Sequence, residues 1–280
     1  MKKPMTTSPF HAAAFAAFAA LLATALLAPT AANAASSVFI DELTTTEVSA
    51  ALQAGKTTLI IPVGGTEQSG PHIALGKHNA RVAVLAERIA MQLGDALVAP
   101  VVAYVPEGNI TPPTEHMRFA GTISIPEAAF KGLLTGAAQS FRQHGFKNIV
   151  LIGDHGGYQA ELKAVAASLN KGWTALPARA HFIGEFYTAA QTSYADALKA
   201  RGLTTAQIGL HAGVADTALL MATAPSLVRP NQFAEAFKTG KAGGTSGDPR
   251  ASTPELGQLG VDAIVSQTTV AIRRAVAAAR

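Results

Sequence analysis

Short apolar runs alternate along this chain with alanine-rich stretches of helical pattern, and few residues join them. Thr58-Leu59-Ile60-Ile61-Pro62-Val63 and Asn148-Ile149-Val150-Leu151-Ile152-Gly153 carry no charge and read as buried strands. Ala96–Tyr104 and Ala178–Ile183 read as two more, and Thr122–Ile125 as a short extended piece. Val82, Leu85, Ala86 and Ile89 recur at helical spacing, which predicts a helix over roughly Ala80–Leu93. Pro126 suits the first turn of a helix capped by Ser124, running to about Gln143 and ending at Gly145. A further helix is expected from about Gln159 to Asn170. This order of elements implies a mostly parallel sheet covered on both faces, an α/β fold of three-layer αβα type.

In such sheets ligands gather beyond the carboxyl ends of the strands. The first strand here runs into Gly64-Gly65-Thr66-Glu67-Gln68-Ser69-Gly70-Pro71-His72, with Gly76-Lys77-His78-Asn79 close behind. One carboxylate and two imidazoles thus follow a glycine-rich turn within twelve positions, the groups used for metal binding or for acid–base chemistry. Asp154-His155-Gly156-Gly157 follows another strand in the same way, so Glu67, His72, His78, Asp154 and His155 are expected to converge.

The first 34 residues read differently. Lys2 and Lys3, an apolar core from Ala12 to Leu27 and the small-residue end Ala32-Asn33-Ala34 form the pattern of a cleaved secretory signal peptide. The expectation is a periplasmic or secreted protein with a single domain over residues 35–280 and no membrane attachment after cleavage. Of 22 lysines and arginines two lie in the signal, which leaves 20 against 18 acids, a net charge of +2. No basic run with interleaved aromatics points to nucleic acid. The chain has no cysteine, which removes disulfides, thiolate nucleophiles and cysteine metal ligands. Any metal must be held by His, Asp and Glu.

Five blocks, in order from about Phe39 to Gly257, resemble the creatininase (creatinine amidohydrolase) family. Gly65-Thr66-Glu67-Gln68-Ser69-Gly70-Pro71-His72-Ile73-Ala74-Leu75-Gly76-Lys77-His78 is similar to its first block, in which Glu-Gln-His-Gly-Pro-His leads to Gly-Thr-Asp. Phe119-Ala120-Gly121-Thr122-Ile123-Ser124, preceded by His116, resembles its Phe-Pro-Gly-Thr-Ile-Ser. Gly153-Asp154-His155-Gly156-Gly157 resembles its Asn-Gly-His-Gly-Gly. His211-Ala212-Gly213-Val214-Ala215-Asp216-Thr217 resembles its His-Ala-Gly-x-x-Glu-Thr, and Gly247-Asp248-Pro249 its late Gly-Asp-Pro.

The resemblance implies an αβα enzyme, often hexameric, that uses one or two divalent metals to hydrolyse a small non-peptide amide, often a cyclic one. A bound metal lowers the pKa of water to about 7 and polarises a carbonyl, which suits attack on an unactivated amide. The chain departs from the family pattern at three ligand positions. Ser69 stands for His, His78 for a bridging Asp, and Asp216 for Glu. A neutral imidazole offers one lone pair and cannot bridge two cations as a carboxylate does. The resemblance with these departures implies one metal (Zn, Mn or Fe) per subunit, held by Glu67, His78, His155 and Asp216. His211 is the candidate proton carrier, and His72 an orienting or substrate-facing group. Asp154 serves as a further ligand, as the partner of one, or as a helix cap. His116 and Glu107 are candidates to line the pocket, and Gly240–Gly247 reads as a flap or a surface loop. Two functions fit: a metal-dependent amidohydrolase of a small amide or formamide, or a non-catalytic periplasmic protein that binds a small ligand in the same pocket.

Overall fold

The computed structural model describes residues 37–279. The signal peptide expected over residues 1–34 lies outside them. Four parallel strands form the sheet: β1 (Thr58–Val63), β2 (Ala96–Val98), β3 (Asn148–Gly153) and β4 (Arg179–Phe182). Their order is β2-β1-β3-β4, with Thr58 level with Asn148 and Val63 level with Gly153. Alternate side chains of the central strands serve opposite faces. Ile60, Val150 and Ile152 enter one apolar core, and Leu59, Ile61, Ile149 and Leu151 the other.

Ten α-helices are present among the described residues. Helices α1 (Thr45–Gln53), α3 (Glu127–Gln143) and α4 (Gln159–Gly172) flank the second core. Helices α2 (Lys77–Leu93), α5 (Glu185–Ala189), α6 (Ala195–Ala200), α7 (Thr205–Ile208), α8 (Val214–Thr223) and α10 (Pro254–Ala278) contribute to the first. Helix α9 (Phe233–Thr239) supports the turn around His72. The result is the expected three-layer αβα arrangement. Helix α2 shows why its sequence folds so: Val82, Leu85, Ala86 and Ile89 are buried along one stripe, and Gly94 ends it in a left-handed conformation at φ 84°.

Three local expectations change. The strand expected over Ala96–Tyr104 stops at Val98, because Pro100 has no amide hydrogen to extend the ladder. The chain beyond it still touches β1, with Val102 N–H donating to Pro62 O at 3.0 Å. Ser124 does not cap α3, which starts after Pro126 without a side-chain cap. Its hydroxyl instead accepts from Glu107 N–H at 3.0 Å and donates to Gly108 O. The Gly240–Gly247 segment is not a free surface loop. Ser246 pairs with His211 through Ser246 N–H to His211 O at 2.8 Å, and Thr245 is buried. A Cβ on Gly247 would lie 2.6 Å from Gly213 Cα, so glycine is needed for this close approach.

Candidate metal centre

In a sheet of order β2-β1-β3-β4 the connections diverge between β1 and β3, which opens a crevice at their carboxyl ends. Tyr158 ties those ends together. Its buried hydroxyl donates to the carbonyls of Val63 and Gly64 and accepts from Asp154 N–H at 3.2 Å and His155 N–H at 3.1 Å. Asn79 at the start of α2 fixes the first turn by accepting from Gly65 N–H at 2.9 Å. Gly65 has φ 147°, and a Cβ there would lie 2.6 Å from Glu107 Oε1. The glycine therefore lets the Glu107 carboxylate approach the Glu67 turn.

Glu67, Glu107, His116 and His155 offer ligand atoms that all lie within 4.8 Å of one another. His116 Nε2 is 3.1 Å and His155 Nε2 3.5 Å from Glu67 Oε2, and His155 Nδ1 is 3.6 Å from Glu107 Oε2. Yet Glu67 Oε2 and both Glu107 oxygens are buried without a hydrogen-bond partner. Burial and the nearby Glu67 charge push the Glu107 carboxyl up to about 9. Burial pushes the His155 imidazole down to about 3, which keeps it neutral and able to offer a lone pair. Two carboxylates and two imidazoles with unsatisfied buried oxygens fit one divalent cation of the Zn, Mn or Fe type. Of the residues expected to hold a metal, Glu67 and His155 lie in this cluster with Glu107 and His116, and His78 and Asp216 lie outside it.

His78 and Asp216 are engaged elsewhere. His78 Nε2 lies 2.7 Å from Glu67 Oε1 and its Nδ1 contacts Asp154 Oδ2, so both ring nitrogens face carboxylates. Asp216 accepts from Arg81 at 2.8 Å, from Lys77 at 3.3 Å and from Ala212 N–H at 2.8 Å. Ala212 adopts φ 55° to make that last bond, a left-handed conformation unusual for alanine. Burial pushes Asp216 up, but the Lys77 and Arg81 charges outweigh it and hold the carboxyl well below its ordinary range. Asp154 follows the same logic: burial raises it, while Arg81 and His78 hold it low. It pairs with Arg81 at 2.8 Å and caps neither of the helical turns that follow.

Lys77 and Arg81 are the residues that sequence reasoning missed. Lys77 and Arg81 extend the stripe of Leu85 and Ile89 at intervals of four, so two cations lie on the buried face of an amphipathic helix. That pattern was the available signal.

His211 lies beside Glu67. Its Nε2 is 2.9 Å from Gln68 O, which fixes the proton on that nitrogen and leaves the Nδ1 lone pair 3.7 Å from Glu67 Oε1. Burial, assisted by the Lys77 charge, pushes this imidazole down to about 4. His72 does not reach the site. It is fully buried, with Nε2 3.0 Å from Thr217 Oγ1 and its ring edge-on to Phe233. Burial pushes it down to about 4 from an ordinary 6.5. The unfolded chain takes up this proton as pH falls through 6.5, the folded chain only near 4. The stability it confers is therefore full above 6.5 and is lost on acidification through that window. Urea unfolding should show a shallower acid loss in His72→Asn than in wild type, and equal pH slopes would contradict this assignment.

The centre opens into a cavity of about 340 Å³. His116, His155, His211, Asp154, Arg81 and Asp216 form its polar side, and Phe186, Tyr187, Tyr194, Ile208 and Leu219 its apolar side. A π-helical turn, Ala190–Tyr194, joins α5 to α6 along this wall, a deviation common at functional sites.

Fold and site together define an α/β protein with a candidate divalent-cation centre at the switch point of a parallel sheet. The sequence model of the creatininase family, described as creatinine amidohydrolase, matches residues 41–272. The chain belongs to the creatininase family. It is 38% identical over 116 residues to the mycofactocin precursor peptide peptidase of Mycolicibacterium smegmatis, covering 40% of this chain and 44% of that one. It is 31% identical over 119 residues to the creatinine amidohydrolase of Pseudomonas putida, covering 42% and 45%. The matched stretches thus span under half the length of these curated relatives. Among solved structures, a tryptophan-to-alanine mutant of creatininase superposes with a TM-score of 0.70 at 24% identity, covering 85% of this chain and 98% of that one. A structure designated Creatininase Mn gives 0.69 at 24% identity with the same coverage. A mutant creatininase of Zn-Zn type gives 0.65 at 23%, again with that coverage. These likenesses establish the fold.

Proposed function

We propose that the protein is a metal-dependent amidohydrolase that cleaves a C–N bond of a small, non-peptide amide or formamide. The observation that carries this reading is the cluster of Glu67, Glu107, His116 and His155, whose buried carboxylate oxygens lack partners beside an open cavity. These four residues would hold the cation. When bound, a divalent cation supplies a water of lowered pKa and polarises the substrate carbonyl. Glu107 lies beside His155 and would serve as one of the ligands, its carboxyl giving up its proton when the cation binds. His211, whose Nδ1 keeps its lone pair, would take a proton from the attacking water and return it to the leaving nitrogen. The aromatic wall of Phe186, Tyr187 and Tyr194 excludes water and seats the apolar part of the substrate, and the cavity volume suits a small molecule.

The relatives named a peptidase and an amidohydrolase are both hydrolases of amide-type bonds, which supports the reaction class. The test is turnover of a panel of cyclic amides, formamides and dipeptides by metal-loaded protein, with Glu107→Gln beside it. Turnover of small amides, lost together with the bound metal in Glu107→Gln as expected for a lost ligand, supports the reading. Turnover of dipeptides alone would replace the substrate class with a peptide end. Saturable binding without any turnover would favour the ligand-binding alternative. Export after cleavage near Ala35, and assembly into a homo-oligomer, belong to the same proposal. N-terminal sequencing of protein recovered from the periplasm and light scattering test them.

A further inference from the structure

We propose that Lys77 is a resident cation of this centre. Its ammonium holds the place between Glu67 and Asp216 that would otherwise draw a second divalent ion, and so limits the chain to one. For the first ion this rests on the reading above; for Lys77 it rests on the geometry of the ammonium itself.

Lys77 is fully buried, and it sits in the first turn of α2, the positive end of the helix dipole. Burial and dipole both oppose an ammonium there, so carboxylates must stabilise it. Two do: Nζ lies 3.2 Å from Glu67 Oε1 and 3.3 Å from Asp216 Oδ2. The two oxygens of Glu67 are thereby divided. Oε1 serves Lys77 and His78, while Oε2 turns to His116 and His155 and keeps no hydrogen bond. One edge of a single carboxylate faces a tethered cation, and the other faces the open site.

Two carboxylate oxygens meet at Nζ, and without it they would face each other with no cation between them. Glu67 Oε1 and Asp216 Oδ2 contact Nζ, and His78 Nε2 and His211 Nδ1 lie 2.7 Å and 3.7 Å from Glu67 Oε1. Carboxylate oxygens on both sides of Nζ, with imidazole nitrogens near one of them, are donor types that divalent metals take. Arg81 closes the remaining carboxylate edges by reaching Asp154 and Asp216 at 2.8 Å. Lys77 acts here as a positioning residue, holding Glu67 at a fixed angle with charge supplied by the chain rather than by solution.

The test is metal content per chain by elemental analysis after equilibration with excess Zn²⁺ or Mn²⁺ and gel filtration, on wild type and Lys77→Met. The expectation is about one ion in wild type and about two in the variant. A merely structural lysine would leave the count unchanged. Two ions in wild type, or an equal count of one in both proteins, would overturn the role of Lys77 and leave the reading of the first ion standing. None in wild type with one in Lys77→Met would uphold Lys77 and remove the first ion. None in either would overturn both. If Lys77→Met does not fold, Asp216→Asn carries the test. Retention of the wild-type ion is expected, because Lys77 keeps Asp216 from being a ligand; loss of that ion would overturn the proposal.

Discussion

Glu67→Gln should empty the metal centre and lower the stability of the fold by about 3–5 kcal/mol. Glu67 is fully buried and touches Lys77, His78, His116 and His155. Glutamine has nearly the same shape, so packing is kept and the charge alone is removed. Lys77 then loses the nearer of its two carboxylates, and His78 loses one of the two groups facing its ring nitrogens. Burial pushes the Glu67 carboxyl up, but the charges of Lys77 and His78 outweigh it and hold the group well below its ordinary range. The folded protein therefore contains this residue as a carboxylate that its neighbours depend on. Urea unfolding of the metal-free protein measures the stability term, and elemental analysis measures the ion. A variant that binds metal as wild type does would remove Glu67 from the centre. One that binds none but keeps wild-type stability would mean that the Lys77 and His78 pairs contribute nothing to the fold.

Arg81→Met should produce the other large effect, again about 3–5 kcal/mol of lost stability, with metal content little changed. Arg81 pairs with Asp154, and it shares Asp216 with Lys77. Methionine fills the stem of the side chain but leaves Asp154 facing His78 alone. The cost comes from stranding a buried charge, which is why a volume-matched substitution is not neutral. Arg81 contacts none of the four residues of the metal cluster by ion pair, so the ion should remain. Loss of the ion with wild-type stability would contradict this division between scaffold and centre.

Much of this was legible in the chain before any coordinates. Strands β1 and β3 fall where their uncharged apolar runs placed them, because a strand buried on both faces leaves a continuous apolar record. Glu67 and His155 were legible for a related reason, since each follows such a strand at a glycine-rich turn. Glu107 and His116 were visible only as pocket candidates. They stand on irregular backbone between β2 and α3, where no periodicity tells which way a side chain turns. Ser124, read as a helix cap, fixes the backbone of Glu107 instead; a local pattern gave way to a contact seventeen residues away.

The ligand roles given to His78 and Asp216 by alignment with a family pattern illustrate a different limit. A pattern records which residue stands at a position but not what stands opposite it. Lys77 and Arg81 bring two permanent charges into the same space, and those charges decide which carboxylate oxygens remain open. His72 shows the same limit from the other side. It sits in the block that delivers Glu67, yet the chain turns it into the protein, against Thr217 and Phe233.

The most direct measurement is anomalous diffraction from crystals of the metal-loaded protein, collected at the absorption edge of the bound ion. A single peak per chain is expected among Glu67, Glu107, His116 and His155, with Lys77 still seated between Glu67 and Asp216. A peak at the Lys77 position, or no peak under saturating metal, would contradict it.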